Sequence, residues 1–156
     1  MKVGQANYNI AVMFDGITQG DSRYYVISDN ASFISKGELN TGDQNTLVDF
    51  VDWARETLPS QHTALMISDH GKLDGLAFDD SSNDHLTMME LSTAFAQITA
   101  HHGKIDILYM DVCLMGTVEG NYQVRNLIDY YIASENLVWL PVSPSYLNSI
   151  SSNLSS

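Results

Sequence analysis

The chain has a single cysteine, Cys113, placed at the end of the apolar run Ile105 to Val112. Its thiol is the natural nucleophile to test first, because a thiolate at the carboxyl end of a buried strand sits where open α/β sheets carry their chemistry. One apolar run earlier, His62 to Ser68, the chain reads Asp69-His70-Gly71. His70 is a base able to take the thiol proton. Gly71, without a side chain, leaves its amide approachable by a ligand oxygen, and with the Cys113 amide it could form an oxyanion hole for acyl transfer. Asp111 lies two positions before Cys113, on the same strand face by alternation. A carboxylate at the end of an apolar strand calls for a cation, and a lysine or arginine side chain of a substrate would supply one. Each residue alone has a plainer reading: a buried small hydrophobe for Cys113, a surface imidazole for His70, a helix cap for Asp111. Their order at successive strand ends is what points to chemistry.

Those residues need a scaffold. Asn9 to Phe14 and Arg23 to Ser28 read as strands and are expected to form a hairpin, with a short edge strand around Ser32 to Ser35. Leu47, Phe50, Val51, Ala54 and Leu58 follow helical spacing, opened by Asp43 or Asn45 and closed by Pro59, with Trp53 and Arg55 toward the flanks. Lys72 to Asp84 reads as a polar loop. Thr87 and Glu90 match a capping box, and Met88, Leu91, Phe95 and Ile98 form one face of the helix that follows, ending near Gly103. The central strand comes next and is expected to be buried on both faces. A helix from about Thr117 to Ile128 leads to a last strand, Tyr130 to Ser134. Strands alternating with amphipathic helices imply βαβ units and a parallel sheet. A right-handed crossover then makes the His70 and Cys113 strands parallel, with carboxyl ends on one edge about 5 Å apart per strand step.

Composition bounds the rest. The 156 residues suffice for one core, and 44% hydrophobic with 17% charged residues fits a folded globular chain. A net charge of -12, from 19 acidic and 7 basic residues, argues against nucleic acid as a partner and suits cationic ones. One cysteine allows no intramolecular disulfide, and no apolar run has the length of a membrane span or signal peptide. Oligomeric state and localisation are not readable. The expected division is a core from 1 to 140 and a Ser/Asn-rich tail from 141 to 156.

Ala64 to Gly71 (ALMISDHG), Asp106 to Asn126 (DILYMDVCLMGTVEGNYQVRN) and Tyr130 to Asn136 (YYIASEN) resemble the clostripain family of cysteine peptidases, which shares a clan with caspases, legumain, separase and gingipains. Gly37 to His62 resembles that family's run into its histidine strand. The resemblance implies a caspase-like three-layer α/β/α sandwich and endopeptidase cleavage after arginine or lysine. It places the catalytic pair at His70 and Cys113 and the acidic residue for the basic side chain at Asp111. It further implies bacterial and often secreted relatives, self-cleavage in some members after a basic residue in the loop following the histidine (Lys72 here), and calcium dependence, for which Asp79, Asp80 and Asp84 are the candidate acidic loop. The family usually has an additional strand and helix, with an Asp-Asn pair, ahead of this segment and a long portion after it. A Gly-rich stretch is also usual where Glu135 to Trp139 stand here. The expectation is therefore a partial peptidase core, and the alternative is a non-catalytic relative that binds or scaffolds, or one that needs a complementing chain to complete its sheet.

Overall fold

The structure, a computed structural model, describes residues 8–27 and 32–138. The proposed tail from 141 lies outside them. Three small sheets are arranged around one helical core.

Strands β1 (Ala11–Phe14), β2 (Ser22–Val26) and β3 (Ser32–Gly37) form an antiparallel meander in the order β1-β2-β3. The hairpin expected from the aromatic and β-branched runs is present, with Val12 opposite Tyr25. Its connecting loop is braced by Asp21, whose carboxylate accepts from the amides of Gly16 (2.9 Å) and Thr18 (3.3 Å). Tyr24 turns inward, 2% exposed, and meets Phe50 edge-on at 5.2 Å and Trp53 at 4.9 Å. Those contacts fasten the meander to α1 (Gln44–Thr57). Asp43 caps this helix by accepting the Asn45 amide at 2.8 Å, and Leu58 ends it just before Pro59. Leu47, Val48, Phe50 and Val51 are its buried residues.

The parallel sheet has the order β4-β8-β9, from β4 (Ala64–Ser68), β8 (Ile105–Asp111) and β9 (Ile128–Ala133). Between β4 and β8 runs α2 (Met88–His102), and between β8 and β9 runs α3 (Val118–Val124). Strand order steps in one direction through both crossovers. Right-handed crossovers of that kind carry both helices to the same face. The side chains agree. Leu65 aligns with Leu108 and Tyr131, and Ile67 with Met110 and Ala133, and this face packs into the core with Leu91, Phe95 and Ile98. On the other face Met66, Ile107, Tyr130 and Ile132 are 37–69% exposed. Burial of β8 on both faces, expected from its composition, is therefore not what the described residues supply: one face is packed and the other open.

The sequence misjudged two further stretches. Within the expected polar loop lie β5 (Gly71–Lys72), β6 (Gly75–Asp79) and β7 (Asp84–Thr87), an antiparallel sheet in the order β5-β6-β7. Leu76 and Leu86, at 0% and 1% exposed, anchor it in the core and pair with each other across β6 and β7. The helix expected to reach Ile128 stops at Val124, and Ile128 instead enters β9 opposite Ile105. The capping box formed as read: Thr87 Oγ1 accepts the Glu90 amide at 3.3 Å, and Glu90 accepts the Thr87 amide at 3.0 Å.

Candidate active site

The site follows from strand register. β4 and β8 pair in parallel with Ser68 opposite Asp111, so two more residues along each strand bring His70 level with Cys113. Strands in a sheet lie about 4.8 Å apart, which makes the two backbones neighbours. Gly71 confirms the approach. A methyl group built on it would stand 2.3 Å from the Cys113 carbonyl oxygen and 3.0 Å from the Cys113 nitrogen. Only glycine fits there.

Cys113 is half-buried, and its sulfur faces the backbone of Val138. The Val138 amide donates to Sγ at 3.3 Å, and the thiol faces the Val138 carbonyl at 3.8 Å. The turn after Cys113 is stitched to the segment after β9: Leu114 N–H to Asn136 O at 3.2 Å, and Gly116 N–H to Ser134 O at 2.8 Å. Tyr131 adds its hydroxyl to Met115 O at 2.8 Å. Burial pushes the Tyr131 phenol up to about 12, so it stays a donor throughout the neutral range. Leu114 itself has φ of 61°, a left-handed conformation costly for a branched side chain, and these bonds hold it there.

His70 is exposed, and among the described residues its ring makes no hydrogen bond or ion pair. The structure thus brings the two backbones together without a direct imidazole–thiol hydrogen bond. Resting sites often have such bonds long or unformed until substrate arrives.

Asp111 is 6% exposed. It accepts from Ser68 Oγ at 2.9 Å and from Tyr109 OH at 3.4 Å. Both donors are neutral hydroxyls. Tyr109 also lines an open groove of about 510 Å³, together with Ile132, Ser134, Leu137 and Val138. Val138 lines this groove and also meets Cys113 Sγ, while neither Cys113 nor Asp111 is among the residues that line it.

The remaining candidates lie elsewhere. Lys72 sits in the β5–β6 hairpin opposite Gly75, its ammonium 4.2 Å over the Phe78 ring. Asp79 is 5% exposed and accepts from the amides of Thr41 (3.0 Å) and Ser82 (2.8 Å) and from Ser81 Oγ (2.8 Å). These donors hold its carboxyl below the ordinary range despite the opposing effect of burial. Asp84 accepts from Asn40 Nδ2 at 2.7 Å and from the His85 amide at 2.9 Å. Among the described residues these carboxylates do not gather into a three-residue ligand set.

With the geometry established, comparison with known proteins assigns the family. The model of the clostripain family matches residues 1–152. This chain belongs to the clostripain family. Clostripain of Hathewaya histolytica is 30% identical over 131 residues, a match covering 70% of this chain and 24% of clostripain. The fold matches two solved structures. One is a secreted C11 cysteine protease from Bacteroides thetaiotaomicron in complex with an irreversible peptide inhibitor: TM-score 0.67, 19% identity, 83% of this chain and 39% of that one. The other is an inactive zymogen C11 protease from Parabacteroides distasonis: TM-score 0.66, 18% identity, 84% of this chain and 39% of that one. The fold is therefore the caspase-like α/β arrangement expected from the sequence. The chain spans about a quarter of clostripain and well under half of the two proteases.

Set against the family, the sequence identified the strand ends but not their supports. Among these supports, Ser68, Tyr131 and Val138 belong to no motif that marks them in the sequence. Tyr109 was within reach of strand alternation, two residues before Asp111. The role of Val138 depends on how the segment after β9 folds back, which no local pattern announces.

Proposed function

We propose that this chain forms the nucleophilic centre of a cysteine endopeptidase that cleaves after arginine or lysine. The observation carrying this reading is the register that sets His70-Gly71 against the Cys113 backbone. In the proposed reaction the Cys113 thiolate attacks the scissile carbonyl carbon. The oxyanion forms against the amides of Gly71 and Cys113, and protonated His70 gives its proton to the departing amine. Water then attacks the thioester while His70 takes up its proton, breaking the C–S bond, releasing the acid and restoring the thiolate beside protonated His70. Asp111 supplies the specificity: a buried carboxylate whose donors are two neutral hydroxyls, one of them on the groove-lining Tyr109, is suited to a cationic side chain. No step passes through calcium.

An arginyl fluorogenic peptide should be hydrolysed under reducing conditions, and Cys113→Ala should abolish the turnover. Asp111→Asn should cost about 2–4 kcal/mol in transition-state binding, roughly thirtyfold or more in kcat/KM, for basic substrates alone. No turnover by the well-folded chain, with calcium and without, would overturn the proposal.

A second reading has its own support in the exposed His70 ring, which makes no hydrogen bond to the thiol. In a non-catalytic binding module Cys113 would alkylate no faster than an ordinary half-buried thiol. Fast alkylation with a depressed pH midpoint separates the two.

A further inference from the structure

Away from Cys113, α2 ends on two consecutive histidines, His101 and His102. Neighbouring residues on a helix point about 100° apart. Yet both rings converge on one carboxylate of α1: His101 Nδ1 lies 2.8 Å from Asp52 Oδ2, and His102 Nε2 lies 3.0 Å from Asp52 Oδ1. One nitrogen of each ring and one carboxylate oxygen come within 4.8 Å of one another. We propose that Asp52, His101 and His102 bind a zinc-type transition-metal cation that clasps α1 to α2.

Four observations support the assignment. The donor set of two imidazoles and a carboxylate matches three-ligand zinc sites, in which water takes the fourth position. Calcium and magnesium require more oxygen ligands than this site offers. Tetrahedral bonds of about 2.0–2.1 Å bring ligand atoms to roughly 3.4 Å apart, so the cluster needs only modest closing. His101 is half exposed, whereas His102 and Asp52 are mostly covered.

A separate sign comes from Asp52 Oδ1. It is buried from solvent, and although His102 Nε2 is 3.0 Å away, the two do not make a properly directed hydrogen bond. A covered carboxylate oxygen without a donor calls for a partner, and a cation between the rings would supply one.

Charge also has to be weighed. Arg55, one turn after Asp52, is the opposing positive group. Its two Nη groups, however, donate to the carbonyls of His102 (2.7 Å), Gly103 (3.3 Å) and Lys104 (2.9 Å), while its Nε is buried without a hydrogen-bond partner. Those bonds brace the backbone at the end of α2. Lys104 faces Asp129 at 3.5 Å, and the neighbouring Asp106 holds His62 at 2.7 Å. The net charge of -12 attracts cations generally.

The cluster lies near the start of β8 and Cys113 just past its end, roughly 25 Å apart along the strand. The metal would therefore act on helix packing and not on the thiol.

The test uses Cys113→Ala protein, which removes the thiol as a competing ligand. Calorimetric titration with Zn²⁺ should show one equivalent bound. Co²⁺ should give the visible absorption of a tetrahedral site, and saturating Zn²⁺ should raise the melting temperature by about 5 °C. His102→Gln and Asp52→Asn should each weaken binding at least about tenfold while leaving the circular dichroism unchanged. His101→Gln, at the exposed ligand, provides the same readout if either covered variant misfolds. No binding by the folded protein, or binding unaltered by these substitutions, overturns the proposal and leaves an interhelical ion pair only.

Discussion

At the scale of single residues, Cys113 is held by its surroundings on several sides. The Val138 amide points at Sγ, Tyr131 holds the carbonyl two residues on, and Leu114 is kept in a left-handed conformation between them. Gly71 is the tightest of these constraints, because any Cβ there meets the Cys113 backbone at 2.3 Å. Gly71→Ala should therefore push the two strand ends apart. We expect a loss of about 1–3 kcal/mol in stability from overpacking, and a fall in the alkylation rate of Cys113. Thermal melts and iodoacetamide kinetics on the same protein check both.

At the scale of elements, α2 does the positioning. It begins at a reciprocal cap, buries Leu91, Ala94, Phe95 and Ile98, and delivers the chain to β8 through Gly103. Thr87 closes both halves of that cap and also ends β7, so it joins the helix to the hairpin sheet that follows His70. Thr87→Ala should cost about 1 kcal/mol, a drop of roughly 2–4 °C in melting temperature for a chain of this size, read by differential scanning calorimetry. An unchanged melting temperature would mean that the hairpin sheet, not the cap, sets the start of α2.

At the scale of the whole molecule, two buried phenols tie its parts together. Tyr24 joins the meander to α1, and Tyr131 joins β9 to the turn after Cys113. Burial raises both from the ordinary value of 10.0 to about 12. The sign follows directly. Between those values the unfolded chain has lost the phenolic proton and the folded chain has kept it, so each proton lost favours unfolding as pH rises. Stability should be level with respect to these groups below pH 10 and should decline from about pH 10 to 12. Tyr24→Phe should flatten that decline in pH-dependent melts, which separates it from the general repulsion of a chain carrying net charge -12.

The sequence by itself determined those features that rest on local periodicity and capping: the hairpin, α1 between Asp43 and Pro59, the Thr87–Glu90 box, and β8 ending beside Cys113. It also placed His70, Cys113 and Asp111 at successive strand ends, because a right-handed crossover leaves little freedom in where a parallel strand must finish. Tertiary structure decided the rest. The β5–β6–β7 sheet arises from long-range burial of Leu76 and Leu86, since its strands, two to five residues long, are too short to show a period. The open face of β4-β8-β9 follows from the direction in which strand order steps, which strand composition does not encode. The contacts of Val138, Ser68 and Tyr131 with the site join positions 16 to 43 residues apart, and those of Asp52 with His101 and His102 span about 50. Such contacts exist only once the core has brought the elements together.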